Sequence, residues 1–425
     1  MPRADRCRPV WSSFKGLLAV LEPGVISGVA NDDPSSIGTY SVVGAQFGTS
    51  VLWTAFITWP LISAIQITCL RIGSVTGKGL ACALGEKFPR PLVVAVSLGL
   101  LVANTITVGA DLSAMADAAE MLSGLNSHYY VIFLGVIIAF GTVLFRYRQI
   151  ANLLKWFALS LLTYVLTAFV VHPNWNTVLR ETFLPIWPTG QEASAGLVAI
   201  FGASISPYLF FWQASQELEE NGDLGPVVHS DKRGVRTTRI SMRNLGVVAG
   251  ALLSNLAMYF IILTTALTLH RSGIINIDTS RDAAAVLTPL AGPFAATLFT
   301  VGIVGVGLVS IPTLIISAAY AVAETFRWTA GLNHKFKTAR PFYSVIILSS
   351  VIGVALDFAD VSPMKALYWA AVVNGVLAPF LLIGILIVAS DRKIMRQQPS
   401  SLLSRLTIAA TALAMLGAAA GMFVF

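Results

Sequence analysis

Charge is what this sequence has least of. Asp, Glu, Lys and Arg make up 12% of its 425 residues, about half the share of an ordinary soluble domain. Hydrophobic residues make up 56%, and the mean hydropathy is +0.75. Cysteine is scarce too: Cys7, Cys69 and Cys82 fit no zinc or redox spacing, and an odd count gives no disulfide framework. The five histidines, His128, His172, His229, His270 and His334, fall in connectors or at helix ends. There is no HExxH motif and no Cys pair for a catalytic transition metal. "GSVTGKG" (73–79) lacks the spacing and the following Ser/Thr of a phosphate loop, so it reads as a plain inner loop. No nucleophile–base constellation is visible, so the sequence does not read as an enzyme. The basic N-terminus (Arg3, Arg6, Arg8, Lys15) is followed by no A-x-A-like cleavage site, so no removable signal is expected.

What is present is a series of long apolar runs. They give eleven candidate spans: 23–48, 50–70, 92–120, 129–145, 153–171, 194–217, 245–269, 291–320, 342–357, 366–389 and 404–424. Most approach the ~20 residues that cross a bilayer as a helix. Alternating ten-residue barrel strands are not visible. The class is therefore an all-α polytopic membrane protein, with 1–425 as one transmembrane domain. With the N-terminus inside, the inner segments 1–22, 71–91, 146–152, 218–244, 321–341 and 390–403 hold 24 of the 28 basic residues, counting one or two at helix ends. Only Arg180, Arg271, Arg281 and Lys365 fall outside. The positive-inside rule supports that orientation and the helix count, and places the C-terminus outside. The net charge of +7 needs no nucleic-acid partner. The expected partners are the lipid bilayer and a small substrate, with a monomer or weak oligomer as the assembly.

Ionisable residues inside the membrane are functional candidates by default. In "GVANDDPSSIGTY" (28–40), Asp33 follows Asp32 near the middle of span 1 and precedes Pro34. No Lys or Arg lies mid-span to pair with it, and an unpaired buried carboxylate protonates or binds a cation. Asp111 is well inside span 3, with Asp117 and Glu120 nearer its outer end. Glu22 sits at the inner mouth of span 1. Span 6, "IFGASISPYLFFWQASQELEE" (200–220), has small residues and Pro207 at its centre. That proline removes a backbone donor, and freed carbonyls at this depth must line a cavity or find partners.

The two interrupted spans lie five apart. With five spans per half, this suggests inverted repeats over about 16–172 and 193–390, with span 11 (404–424) a peripheral addition. Paired broken helices in such repeats point to a transport site, and unwound carbonyls beside a carboxylate suit a cation. Simpler readings stand beside this one. A membrane proline can be only a kink, and a lone Asp only a structural hydrogen bonder. Glu217 and Glu219 read as solvated inner-face charges, and Trp212 as packing. Asn374, in "VVNGVLAP", pairs either with unwound backbone or with a neighbouring helix.

"PGVISGVANDDPSSIGTYSVVGAQFG" (23–48) resembles the first helix of the Nramp family of divalent-metal transporters. That helix has a Pro-Gly start, a break at Asp-Pro-Gly-Asn and a Gly-Ala-x-Tyr/Phe-Gly end. "RIGSVTGKGLA" (71–81) resembles the family's loop after helix 2, and "GADLSAM" (109–115) its third helix. The resemblance implies a LeuT-type fold, with a 5+5 inverted repeat and broken helices 1 and 6, working by alternating access. It places the metal-binding Asp on Asp33 and the helix-breaking proline on Pro34. The family's glycine becomes Ser35 and its binding Asn becomes Ser36. In span 6, where the family has Ala-x-x-Met-Pro-His, the alanine falls on Ala203, the methionine becomes Ser206, the proline is Pro207 and the histidine becomes Tyr208. A second histidine becomes Gln213. The helix-3 acid of the proton path falls on Asp111, but its Glu partner becomes Ala114.

A thioether favours softer metals; a serine offers a hard oxygen. Asp33, Ser36, Ser206 and the Ala203 carbonyl are thus expected to form an all-oxygen site for Mg²⁺ or Mn²⁺, similar to the Nramp-related magnesium transporters. Asp111, Tyr208, Gln213 and Asn374 are secondary candidates for a proton path or gate. No cofactor is expected beyond the transported ion. The leading expectation is an inward carrier of hard divalent ions in a plasma or bacterial inner membrane, with loss of the family's two histidines and of the Glu weakening the case for proton coupling but leaving it open. The alternatives are a proton-coupled Mn²⁺/Fe²⁺ importer, an organic-solute carrier of the same fold, and a non-transporting sensor.

Overall fold

A computed structural model describes residues 31–144, 162–185, 190–222, 233–332, 334–359 and 361–424. These residues form helices and turns, with no strand among them. In chain order the helices are α1 (Pro34–Phe47), α2 (Trp53–Thr76), α3 (Leu80–Gly85), α4 (Arg90–Ser123), α5 (Ser127–Leu144), α6 (Leu162–Val170), α7 (Trp175–Phe183), α8 (Gln191–Ser204), α9 (Pro207–Gly222), α10 (Arg233–Thr268), α11 (Ser280–Ala285), α12 (Thr288–Ala291), α13 (Ala295–Phe326), α14 (Arg340–Leu356), α15 (Pro363–Ser390) and α16 (Leu402–Val424). Each of the eleven expected spans falls on one of these helices, or on the pair α8–α9. Among the described residues, eight helical runs are long and apolar enough to cross a bilayer, and Ser127–Val143 is a shorter apolar helix. The first half of span 1 with Glu22, the start of span 5, and Arg146, Arg148, Lys155, His229 and Lys232 lie outside the described residues.

Several boundaries differ from the sequence expectation: α10 starts at Arg233, inside the expected connector 218–244, and two others bear on the site. Gly73–Thr76 is the last turn of α2 rather than loop, and only Gly77 to Gly79 make the turn into α3. α13 runs past the expected end at 320, because "AVAETF" (321–326) contains no helix breaker. Arg327 ends it in the left-handed region (φ 57°), and Trp328 N–H returns to Ala323 O at 2.8 Å, as in a Schellman motif.

Close backbone approach fixes the interior. A Cβ on Gly202 of α8 would lie 2.0 Å from Ala371 O of α15, and one on Gly375 of α15 would lie 2.3 Å from Val198 O of α8. Small residues at helix crossings are the usual device where lipid supplies no hydrophobic drive. α4 packs along α13, tied by Asn104 Nδ2 to Leu314 O (2.9 Å) and Thr300 Oγ1 to Ala118 O (2.9 Å). Phe133, Phe140, Leu403 and Leu413 are exposed, as a lipid-facing surface requires. α16 is the least buried of the candidate spans among the described residues. It lies against α8 and α15, where a Cβ on Gly421 would come within 2.9 Å of Ser194 Oγ.

Candidate metal site

Span 1 is broken at its two acids. Asn31 is helical, Asp32 and Asp33 are not, and α1 starts at Pro34. Proline suits a first helical position, since its missing N–H would have no partner there. Asp33 caps the helix: Oδ1 accepts from Ser36 N–H at 2.7 Å and from Ser35 Oγ at 3.0 Å. The carboxylate thus sits at the positive end of α1.

Span 6 breaks in a related way. α8 stops at Ser204, Ile205 is non-helical (φ −113°, ψ 58°), and α9 starts at Pro207. The helical donor to Ala203 O would be the N–H of residue 207, which proline lacks. The freed carbonyl accepts from Ser206 Oγ at 2.9 Å instead, and from Ser36 Oγ of α1 at 3.3 Å. Ala203 O is therefore where the two breaks meet. The geometry brings together Asp33, Ser36, Ala203 and Ser206, each at most 2% exposed. Above it, Tyr40 OH and Ser204 Oγ join α1 to α8 at 3.0 Å. α1, α8 and α9 contain no Lys or Arg. A carboxylate and the carbonyl end of a helix then make a cation-favouring pocket closed to solvent.

The secondary candidates divide. Asp111 on α4 is fully buried and lies within electrostatic reach of Asp33 and of the Ser35 backbone N–H, and neither carboxylate oxygen makes a close hydrogen bond among the described residues. Asn374 bonds a neighbouring helix, donating from Nδ2 to Thr107 Oγ1 at 3.2 Å, while its Oδ1 has no partner. Tyr208 is buried, and its carbonyl accepts from Ser317 Oγ at 2.6 Å. Gln213 is buried further along α9 and makes no hydrogen bond to the junction. Asp117 and Glu120 have structural work, accepting from the N–H groups of Ser280 (2.9 Å) and Ser127 (2.7 Å).

The end of the bundle that the sequence reading expects to face inward carries acids which that reading places in water. Glu217 is 6% exposed and ion-paired with Arg243 of α10, so it is not a solvated charge. The burial comes from α10, which no local pattern reveals. Glu219 accepts from Tyr320 OH and from Leu332 N–H. Glu324 was missed, because span 8 was ended before it. Its Oε2 accepts from Ala81 N–H (3.0 Å) and Cys82 N–H (3.5 Å), and its Oε1 from Ser215 Oγ (2.9 Å). It thereby fastens α3 and α9 to α13. A Cβ on Gly79 would sit 1.7 Å from Glu324 Oε1, so glycine there admits the carboxylate. Glu219, Glu324, Cys82, Ser215 and Tyr320 line a cavity of about 520 Å³. Burial pushes the Cys82 thiol up to about 11, with the nearby Glu324 charge adding to it. Removing Glu324 (Glu324→Ala) loses bonds worth about 1.5–3 kcal/mol each. We expect maleimide labelling of Cys82, followed site by site with mass spectrometry, to speed up by about tenfold or more; an unchanged rate would show that Glu324 does not fasten α3.

Comparison with known proteins places this geometry. The family described as "Natural resistance-associated macrophage protein-like" (Nramp) matches residues 24–425. The chain is 26% identical over 413 residues to the divalent metal cation transporter MntH of Caldanaerobacter subterraneus subsp. tengcongensis, covering 92% of this chain and 90% of that one. Its fold is similar to that of the Eremococcus coleocola manganese transporter, with a TM-score of 0.72 at 18% identity, covering 100% of this chain and 90% of that one. It is also similar to inward-facing Mhp1, with a TM-score of 0.57 at 15% identity, covering 96% and 88%. Both likenesses fit a helical bundle of the LeuT type with broken spans 1 and 6. The match across nearly the whole length makes this chain a member of the Nramp family.

Proposed function

We propose that this protein carries divalent metal ions inward across the membrane by alternating access, with a preference for hard ions of the Mg²⁺ and Mn²⁺ class. The observation that carries the proposal is the junction at Ala203 O, where both broken spans present only oxygen. Asp33 supplies the charge. Its Oδ1 is held by Ser35 and Ser36, so Oδ2 is the ligand atom. Ser36 Oγ, Ser206 Oγ and Ala203 O complete the set, with water filling the remaining positions of an octahedral ion. Both hydroxyls lie within donating reach of Ala203 O, with Gly202 O as a second acceptor for Ser206 (3.0 Å) and Asn31 O for Ser36 (3.2 Å). An entering cation takes over the place of the hydroxyl protons. The names of the relatives, a divalent metal cation transporter and a manganese transporter, support the substrate class.

Residues 16–172 and 193–390 act in this reading as inverted repeats, supported by a proline opening the second half of each broken span. The N-terminus is cytoplasmic and the C-terminus outside, in a plasma or bacterial inner membrane, as the Lys/Arg distribution favours. With Ala114 beside Asp111 in place of an acid, transport runs on membrane potential alone. For a divalent ion that is worth about 4.6 kcal/mol per 100 mV. One observation favours a second reading: the Asp111 carboxylate, fully buried within reach of Asp33 and without a close hydrogen bond among the described residues, suits a proton carrier in a coupled Mn²⁺ importer.

Uptake of Mn²⁺ into proteoliposomes, with Mg²⁺ and Ca²⁺ as competitors and an internal pH dye, tests both. Potential-driven uptake, suppressed by Mg²⁺ and without internal acidification, supports the first reading; acidification that tracks metal uptake supports the second. No metal uptake overturns both. The hard-ion preference has its own test. Ser206→Met puts a thioether at the junction, and we expect the Cd²⁺-to-Mg²⁺ uptake ratio to rise by about tenfold, the direction set by ligand softness. An unchanged ratio removes Ser206 from the selectivity argument.

A further inference from the structure

The metal reading leaves Asp32 without a task. Asp32, Asp33 and Asp111 are all buried, at 3%, 1% and 0% exposure. A divalent ion at Asp33 offsets two of those three charges. Asp32 does not turn toward that ion. Its Oδ1 accepts from Ser254 Oγ of α10 at 2.6 Å, while Asp33 Oδ1 is held at the start of α1. Ser254, 2% exposed, is in turn approached by Asn31 Nδ2 at 2.7 Å. A serine has one hydroxyl proton, and here it goes to Asp32. Its oxygen must then be the acceptor toward Asn31. That turns the amide nitrogen to Ser254 and leaves Asn31 Oδ1, in a side chain 2% exposed, with no donor among the described residues. A buried amide oxygen without a partner is costly, and calls for a ligand that the protein itself does not supply.

We propose that Asp32, Asn31 and Ser254 form a second cation site, between spans 1 and 7, which binds Na⁺ while the divalent ion is held at Asp33. Asp32 supplies the charge, Asn31 Oδ1 and Ser254 Oγ neutral oxygens, a hard donor set that suits an alkali cation. The three side chains already touch, which favours a small ion over K⁺. Half a turn of the Asn31 amide brings its oxygen to the Ser254 side, beside the carboxylate. The two sites are linked through the Asn31 backbone, which the Ser36 hydroxyl touches. Ser36 Oγ lies 3.2 Å from Asn31 O and 3.3 Å from Ala203 O, so filling one site is felt at the other. This inference rests on assigning Asp33 to the divalent ion, and the test separates the two.

The test is thermal unfolding of the purified full-length protein in detergent, in NaCl, KCl or choline chloride at equal ionic strength, with and without MnCl₂. A ligand that binds only the folded state raises the melting temperature with its concentration. NaCl is expected to raise it over choline chloride in the wild type and in Asp33→Asn. In Asp32→Asn and Ser254→Ala, the apparent Na⁺ affinity is expected to fall by about tenfold or more, as loss of a charged or neutral oxygen ligand does. Equal melting in NaCl and choline chloride overturns the proposal, as does a Na⁺ shift that survives intact in both variants. An equal shift in KCl overturns the assignment to Na⁺. Should Asp32→Asn fail to fold, Ser254→Ala decides. The Mn²⁺ shift reports on the metal reading independently: its survival in Asp33→Asn overturns that reading and leaves the Na⁺ comparison standing.

Discussion

Asp33→Ala is expected to abolish divalent-ion uptake in proteoliposomes. Removing a buried charged partner costs about 2–5 kcal/mol, a loss of at least about 30-fold in ion affinity. Asp33 also caps α1, and losing a cap costs a further ~1 kcal/mol of stability. Asp33→Asn separates the two effects. Asparagine is an equally good N-cap and its side-chain oxygen can still accept from Ser36 N–H, but it carries no charge. It should melt close to the wild type and transport as poorly as Asp33→Ala. Uptake by Asp33→Asn within twofold of the wild type would falsify the assignment of the ion to this carboxylate.

The largest expected effect on the scaffold is at Gly202. Its Cβ would lie 2.0 Å from Ala371 O and 2.4 Å from Gly375 N, both backbone atoms of α15. A side chain can rotate away from such a contact; a carbonyl held in a helix cannot. Overpacking ordinarily costs about 1–3 kcal/mol, and Gly202→Ala should reach the upper end, because α8 must move off α15. That movement displaces Ala203, the next residue, from Ser36. We expect a lower melting temperature in detergent together with a tenfold or greater loss of uptake. Gly417→Ala is the control, since nothing lies within 4 Å of its Cβ position. A Gly202→Ala protein with wild-type melting and uptake would show that this crossing is looser than the backbone distances imply.

The spans were legible because a helix in lipid needs ~20 apolar residues, and hydropathy reports that directly. The two breaks were legible because Pro34 and Pro207 each forbid a specific backbone hydrogen bond. The meeting of Ser36 with Ala203 O was not readable from spacing, since it depends on how two distant spans cross. The family resemblance supplied that pairing instead. Glu324 was hidden by a boundary error: an acid after a long apolar run looked like the start of a connector, although nothing in 321–326 stops a helix. Glu217 was misread for a different reason. Its burial and its pairing come from α10, distant in sequence, and a residue's own neighbours say nothing of that. Asp32 was visible as an oddity, but its orientation away from Asp33 required Ser254.

The hydroxyls around Ala203 O bear on how the proposed transport cycle would close. A carrier whose binding groups stay unpaired after unloading stalls until new cargo arrives, and then only exchanges one ion for another. Here the Ser36 and Ser206 hydroxyls lie within donating reach of Ala203 O, and Asp33 Oδ1 accepts from Ser35 and Ser36. Under the proposed function, these internal donors take the place of cargo on the return step, and net accumulation rather than one-for-one swapping is the mode we propose.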